Sequence, residues 1–426
     1  MTIPGTSRGL APTRQQLSNG AVVIAKEARA TPAVTIHASI EAGGICDPPD
    51  VPGVSNFVSR LIDRGTASRS ADGIAEELDN RGVSLSVNVN RHVLSVILTC
   101  LTEDVDDMLA LLGDIVMQPT FPADEVSIRR NEIITMIRQD DDNPAAQAMQ
   151  RLLALVYGRH PYGWLPRGTV ESVEQIERDA LAAFHRRWFV PGAFSLAIVG
   201  DIDAPHAIAG AERVFGAWTG APFVAPRLPA VDAPSARRQI VHPMMNKAQA
   251  DIAYGFTAVV RADPQYYAYW LMNNVLGQYA LGGRLGDSIR ERQGMAYYVV
   301  SALDANRAPG PLVVRAGVNP SNVDRAIDSI DAELVRMADG GPTERELQES
   351  KQFLTGSMPR NLETNAGIAM FLQTAEFFDL GLDYDLRMPG LLNRVTRDEV
   401  HEAARRTLDP SRASVVVAGP YDRPGQ

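Results

Sequence analysis

The sequence predicts an α+β protein made of two tandem homologous domains, each a mixed or antiparallel sheet covered by helices. The length of 426 residues accommodates two large domains. Short β-type runs alternate with long helical patterns, which is typical of a sheet whose face is covered by helices. Two pairs of segments resemble each other at a nearly constant separation, which indicates that one domain has been duplicated.

The duplication rests on matching segments in the two halves of the chain. The pairs are 122–132 (PADEVSIRRNE) with 342–352 (PTERELQESKQ), and 190–200 (VPGAFSLAIVG) with 409–419 (DPSRASVVVAG). Both pairs are separated by about 220 residues, a normal size for a domain. The spacing predicts domains at residues 1–219 and 238–426. The linker between them, 220–237, is rich in proline and alanine and poor in periodicity.

Local patterns justify the individual elements of the first half. Short apolar runs predict strands at residues 21–25, 34–40, 83–89 and 93–100. A helix is predicted over 71–81, with Ser70 as its N-cap and Gly82 as its terminator. A second helix begins after Thr102. Its apolar face predicts core positions at Val105, Met108, Leu109, Leu112 and Val116.

Composition excludes several classes of protein. A net charge of −10 argues against nucleic-acid binding, because phosphate contacts need clustered lysine and arginine. The longest apolar runs, such as 93–100, fall short of the ~18 residues that a membrane span needs, and residues 1–10 show no secretory signal. The only cysteines are Cys46 and Cys100. Reduced thiols, and hence a cytoplasmic location, are the simpler interpretation.

Segment 283–299 carries the most informative pair of side chains. It predicts a helix followed by a strand near Met295, with Arg290 and Tyr297 at either end of the junction. A guanidinium and a phenol both donate hydrogen bonds, so together they can hold a peptide carbonyl. The alternatives are a surface ion pair for the arginine and a packed ring for the tyrosine. Tyr298 competes for the role, although strand alternation points it to the opposite face.

Several short motifs, in order along nearly the whole chain, resemble the pitrilysin–insulysin peptidase family. The nearest branch contains the mitochondrial processing peptidases and small bacterial two-domain forms. The motifs are Ser18-Asn19-Gly20-Ala21-Val22-Val23, Ala42-Gly43-Gly44, Arg64-Gly65-Thr66, His160-Pro161-Tyr162-Gly163, Val199-Gly200-Asp201 and the segment from Arg290 to Tyr297. The resemblance implies half of a clamshell chamber.

Active members of that family are inverted zincins with H-x-x-E-H on a helix. Two imidazoles at i and i+4 bind one Zn²⁺, the glutamate acts as general base, and a further glutamate some 75 residues on completes the ligands. Here the two histidine positions hold Asn56 and Arg60, and the catalytic glutamate position holds Ser59. Arginine offers no lone pair to a metal. The distal position falls near Thr135 and Met136, neither of which is a carboxylate.

No metal site is therefore expected in this chain, and none of its seven histidines has i, i+3 or i, i+4 spacing. The resemblance implies a zinc-less subunit of a heterodimeric metalloendopeptidase that cleaves short or unfolded peptides. A homologous partner bearing H-x-x-E-H would hold the zinc, and this chain would supply Arg290 and Tyr297 to the substrate carbonyl. Alone it would be inactive. The alternatives are a catalytically silent scaffold and a peptide-binding homologue, which could be homodimeric.

Overall fold

A computed structural model describes residues 9–232, 234–278 and 282–422. The strands of these ranges are β1 (Thr13–Gln16), β2 (Val22–Glu27), β3 (Ala33–Ile40), β4 (Ser84–Val89), β5 (Leu94–Leu101), β6 (Phe194–Gly200), β7 (Arg238–Pro243), β8 (Ala250–Thr257), β9 (Ala296–Leu303), β10 (Pro311–Val318) and β11 (Ser414–Gly419). The α-helices are α1 (Val54–Leu61), α2 (Ala71–Asn80), α3 (Val105–Met117), α4 (Ala123–Asp141), α5 (Pro144–Tyr157), α6 (Val170–Gln175), α7 (Arg178–Trp188), α8 (Ala204–Phe215), α9 (Tyr266–Asn273), α10 (Val323–Gly340), α11 (Glu344–Asn361), α12 (Asn365–Phe377), α13 (Tyr384–Arg394) and α14 (Arg397–Thr407). Two π-helical stretches, Asn274–Gln278 and Gly286–Arg292, lie between α9 and β9.

The chain forms two compact units, and each draws on both halves of the sequence. The described residues of the first unit fall in Met1–Ile137, Leu165–Arg227 and Met358–Arg387. Those of the second fall in Arg138–Trp164, Leu228–Ser357 and Met388–Gln426. Described residues of the predicted linker at 220–237 form no helix or strand. The predicted boundaries at 1–219 and 238–426 remain a prediction about the repeat.

Apart from β1, an additional strand at one edge of the first sheet, the two sheets share one topology, as a duplicated domain requires. The first has the order β1-β2-β6-β3-β5-β4 and the second has the order β7-β11-β8-β10-β9. In each, one parallel pair (β2 with β6, β7 with β11) adjoins antiparallel strands. Strand β9 therefore corresponds to β4, and both are edge strands. The predicted α+β class with two homologous domains is confirmed.

The corresponding strands β6 and β11 of the two domain copies both end at a glycine. Gly200 at the end of β6 has φ +151°, and Gly419 at the end of β11 has φ +139°. A side chain at Gly200 would collide with the backbone of Ala33, and one at Gly419 with that of Ala250. Both positions therefore need glycine, which explains why the sequence repeat is visible there.

In the first unit, the sheet packs between a large helical core and the single helix α12. The large core joins buried strand residues such as Ile36 to Phe57, Leu112 and Ile133 of the helices. On the opposite face, apolar residues of α12 pack on β2 and β6. Gln373 fixes α12 to this face. Its Nε2 donates to His37 O at 2.6 Å and to Ser195 O at 3.1 Å, and its Oε1 accepts from Ser195 Oγ at 2.6 Å.

We expect Gln373→Ala to lower the free energy of unfolding by about 2–3 kcal/mol, because it removes buried hydrogen bonds and leaves strand groups without a partner. Thr374→Ala is the matched control, since that neighbouring side chain is exposed and only bonds within its own helix. It should change stability by less than ~0.5 kcal/mol. Chemical denaturation of both variants tests this, and equal effects would contradict the role of Gln373.

The buried histidine of β3 makes stability depend on pH. His37 is 1% exposed, and burial lowers its pKa to about 4. The folded state thus favours the neutral imidazole. The contribution of neutral His37 to the free energy of unfolding is complete above the unfolded pKa near 6.5 and is lost as the pH falls toward 4. The loss amounts to about 3 kcal/mol. Between pH 7 and 4, we expect the free energy of unfolding to depend less on pH in His37→Gln than in the unsubstituted protein. The variant His206→Gln, which changes an exposed histidine, should keep the full dependence. An unchanged slope in His37→Gln would contradict the assignment.

In the second unit, α5 covers the sheet as α12 does in the first. Leu152 of α5 lies against Gly255 of β8, where any side chain would meet it. Tyr157 at the end of the helix donates its hydroxyl to Pro309 O at 3.0 Å. Helix α14 packs on both α9 and α10 in the same unit. No helix in the described ranges combines the length and apolar character that crossing a bilayer requires.

The predicted elements of the first half are confirmed within one or two residues at most ends. Helix α2 is capped by Ser70, whose side chain accepts from Gly73 N, and Gly82 follows it with φ +62°. The predicted apolar face of α3 is buried throughout. The predicted strands correspond to β2, β3, β4 and β5, all in the first sheet.

Candidate functional site

Helix α1, which carries the replaced zinc motif, is held by a buried acidic cap. Gly53 precedes the helix with φ +101°, a conformation that suits glycine. Asp47 accepts from Gly53 N and Ser55 N, both at 2.7 Å, and so satisfies two free amides of the first turn. Burial raises the pKa of Asp47 to about 6 against the opposing effect of these hydrogen bonds. The helix is therefore well positioned although its metal ligands are absent.

The motif residues themselves do not fit zinc. Asn56 is 8% exposed, and its Oδ1 has no hydrogen-bond partner. Ser59 Oγ donates to Asn56 O at 2.7 Å, and Arg60 is exposed. An amide, a hydroxyl and a guanidinium lack the imidazole and carboxylate donors that zinc prefers.

The distal position supplies no ligand either. On α4, Thr135 is exposed and donates its hydroxyl to Asn131 O at 2.8 Å, while Met136 is half-buried. Among the described residues, no group of three or more histidine, cysteine, aspartate or glutamate side chains could hold a metal ion. The side chains at these positions of α1 and α4 therefore lack the donors that a zinc centre needs.

Arg290 lies near the end of the second π-helical stretch, as the junction of helix and strand predicted. Gly294 then turns the chain with φ +60°, and β9 begins at Ala296. The side chain of Arg290 is 44% exposed, and its Nε lies 3.8 Å from Glu291 Oε1, a long and weak contact. Neighbouring Arg292 instead pairs with Asp287 at 3.0 Å. The guanidinium of Arg290 is thus accessible to a ligand.

Tyr297 and Tyr298 are neighbours at the start of β9 and differ in their surroundings, and the pairing of β9 with β10 is irregular at Tyr297. Tyr297 is 63% exposed at the edge of the sheet. Tyr298 donates its hydroxyl to Asp251 Oδ1 at 2.6 Å and packs against Gly317. Burial, together with Asp251, raises the pKa of Tyr298. The phenol of Tyr298 is therefore already engaged in a hydrogen bond inside the unit. This favours Tyr297 as the residue that contacts a ligand. The role of the Arg290–Tyr297 pair stays a prediction.

Comparison with known proteins gives the family. Residues 22–164 match the family described as insulinase (peptidase family M16), and residues 175–354 match the peptidase M16 inactive domain. An uncharacterized zinc protease of Mycobacterium leprae is 26% identical over 416 residues, covering 96% of this chain and 92% of that protein. A Helicobacter pylori protein named "Non-peptidase homolog YmxG" is 24% identical, covering 92% of this chain and 89% of that protein.

Solved structures agree with this match. The crystal structure of a peptidase M16 inactive domain from Pseudomonas fluorescens superposes with a TM-score of 0.90 at 26% identity, covering 96% of this chain and 98% of that one. A Helicobacter pylori protease of the same fold has a TM-score of 0.89 at 16% identity, with 96% of this chain and 99% of that chain covered. The fold and the replaced motif together define a zinc-less peptidase homologue. The chain belongs to the M16 peptidase family, also called the pitrilysin–insulysin family.

Proposed function

We propose that this chain is the non-zinc subunit of a heterodimeric metalloendopeptidase. The observation that supports it is the contrast between its two motifs. The residues on α1 cannot hold zinc, whereas Arg290 and Tyr297 are both exposed and suited to bind a carbonyl. A homologous partner bearing H-x-x-E-H would contribute the metal and the nucleophilic water.

In this proposal the two side chains act on the same oxygen of a substrate peptide. Arg290 donates charge-assisted hydrogen bonds to the scissile carbonyl, and Tyr297 donates its phenolic hydrogen as that oxygen gains negative charge. The edge position of β9 leaves backbone groups next to Tyr297 open for pairing with an extended chain. Short or unfolded peptides are therefore the substrates that suit this arrangement.

Co-expression with a homologue from the same source that carries H-x-x-E-H tests the proposal. Each chain and the purified pair are assayed with fluorogenic peptides. We expect cleavage by the pair only. Zinc-dependent cleavage by this chain alone would refute the division of labour.

The second candidate is a catalytically silent scaffold or peptide-binding homologue, for which a homodimer is one form of assembly. The relative named as a non-peptidase homologue favours it. It predicts stable self-association or complex formation without any gain in peptide cleavage. The absence of cleavage in a folded pair with a zinc-loaded partner would support this candidate.

A further inference from the structure

The strand that carries Tyr297 contains one residue more than its partner strand. Tyr298 of β9 lies opposite Gly317 of β10, but the next residue of β10, Val318, lies opposite Ala296. Tyr297 therefore has no residue opposite it and forms the extra residue of a β-bulge. Bulges occur frequently beside active sites, where they change the direction in which a side chain points.

The bulge explains why Tyr297 is exposed. Side chains alternate between the two faces of a strand, so regular pairing would place Tyr297 on the buried face of β9, together with Val299 and Ser301. Both of those residues are 3% exposed, whereas Tyr297 is 63% exposed. Ala296, which is 9% exposed, occupies the next buried position instead. The extra residue thus turns the phenol of Tyr297 out of the buried face.

The corresponding edge of the first sheet is paired regularly. Strand β4 pairs with β5 from Ser84 opposite Thr99 to Val89 opposite Leu94 without a shift in register. Because the two units are copies of one domain, a regular ladder is what the duplication alone predicts for β9. The second copy departs from this pattern at Tyr297. A departure from regular structure in only one of two copies is typical of a functional site.

Three residues in a line across the second sheet fix the register beside the bulge. Gly317 of β10 lies between Tyr298 of β9 and Asp251 of β8. The ring of Tyr298 packs over Gly317, and its hydroxyl donates to Asp251 Oδ1 at 2.6 Å. A Cβ at position 317 would collide with this ring and with the amide of Gln249. Glycine is therefore needed here to leave room for the ring of Tyr298.

The start of β9 is also bonded to the segment that carries Arg290. Met295 N donates to Ile289 O at 3.1 Å, and Gly294 N donates to Arg290 O at 3.1 Å. Since Met295 precedes the bulge by two residues, these bonds connect the position of the bulge to the end of the π-helical stretch.

We propose that Gly317 is a positioning residue that holds Tyr297 in the bulge and so presents its phenol to the substrate carbonyl. Gly317 acts through the ring of Tyr298, which fills the space of the missing side chain and keeps the two residues opposite each other. Loss of this contact frees β9 to move its extra residue along the strand, which returns Tyr297 to the buried face. The inference rests on the proposed function, because it explains how one of the two donors becomes accessible.

Chemical modification of the full chain, without a partner, tests this role. Tetranitromethane nitrates exposed tyrosine rings, and mass spectrometry of the peptides measures the nitration of Tyr297. We expect Gly317→Ala to slow this nitration about fivefold, because the side chain loses its exposed position. Gly255→Ala is the matched control, since a Cβ at this glycine of β8 would also collide with a side chain, that of Leu152. It should leave the nitration unchanged, and equal rates in the two variants would overturn the role of Gly317.

Deletion of single residues tests the bulge itself. Removing Tyr297 leaves its two neighbours opposite Val318 and Gly317 in a regular ladder, so we expect the thermal midpoint to shift by less than about 3 °C. Deletion of Val87 from the regular strand β4 is the control. It turns part of that strand over, so we expect the midpoint to fall by more than about 6 °C. Equal losses in the two deletion variants would overturn the bulge.

Turnover of the reconstituted pair provides a measurement that a general loss of stability does not change. We expect Gly317→Ala to lower the turnover number about tenfold with little change in KM, and Gly255→Ala to lower it less than about twofold. Added to Tyr297→Phe, Gly317→Ala should cause no further loss, because residues that act as a unit are not additive. Additive losses would overturn the claim that Gly317 acts through Tyr297.

Failure of this inference is separable from failure of the proposed function. If the pair cleaves peptides and depends on the Tyr297 hydroxyl, while Gly317→Ala and Gly255→Ala behave alike, only the role of Gly317 is wrong. If nitration of Tyr297 slows as expected but the pair with a zinc-loaded partner does not cleave, the positioning of Tyr297 stands and the proposed function is wrong.

Discussion

Arg290→Ala is expected to lower the turnover number of the reconstituted heterodimer about 10²–10³-fold, the size of effect seen when one donor to a developing oxyanion is removed. The guanidinium has no strong ion pair to replace, since its contact with Glu291 spans 3.8 Å. Loss of the side chain should therefore act on the reaction and leave folding intact. Steady-state kinetics with a fluorogenic peptide measures the effect, and gel filtration checks that the pair still assembles.

Arg292→Ala is the matched control for this prediction. It removes the same charge two residues away, from a side chain that pairs with Asp287. We expect turnover to change less than about twofold, because exposed ion pairs contribute little. Equal losses in the two arginine variants would indicate a general electrostatic effect, and an undiminished rate in Arg290→Ala would favour the scaffold interpretation.

Tyr297→Phe should lower turnover about tenfold to 10²-fold without a comparable change in KM, because the phenol is proposed to bond more strongly to the oxyanion than to the ground-state carbonyl. Its neighbour Tyr298 gives the control. Tyr298→Phe removes the hydrogen bond to Asp251, so we expect it to lower thermal stability and to leave turnover nearly unchanged. The opposite pattern would assign the role to Tyr298.

The second large effect is a gain of zinc binding on α1. We expect the double variant Asn56→His, Arg60→His to take up zinc, because i and i+4 positions place two imidazoles on one helical face. The cap by Asp47 keeps this helix in place. The buried Asn56 site leaves little room, so the metal-free variant should lose about 1–3 kcal/mol of stability. Zinc at about a hundredfold excess over its Kd should restore some 2–3 kcal/mol.

Asn56→His alone is the matched control, since it retains the guanidinium of Arg60, which offers no lone pair. Zinc should not raise its unfolding temperature. Calorimetry with and without zinc compares the variants. If the double variant behaves like the single one, the loss of zinc binding has a cause beyond these two side chains, such as the helix position itself.

Sequence patterns were sufficient to predict those elements whose ends and buried faces are determined by nearby residues. Ser70 and Gly82 mark the two ends of α2, because an N-cap and a residue with positive φ each act within a few residues of the chain. The stripe from Val105 to Val116 predicted a buried face, and it is buried. The repeat was visible because Gly200 and Gly419 are both needed where β6 and β11 end.

Long-range features could not be predicted in the same way. An apolar helix face shows that α5 and α12 must be covered, but not that each covers the sheet formed mostly by the other half of the chain. The bonds of Gln373 to His37 and Ser195 depend on that arrangement.

Native mass spectrometry of the purified pair tests the central claim most directly, because one spectrum counts subunits and zinc together. The account predicts a one-to-one heterodimer with one zinc ion, and a zinc-free species when this chain is purified alone. The partner, released from the complex, should retain the metal. Zinc bound to this chain alone, or two zinc ions per heterodimer, would contradict the account.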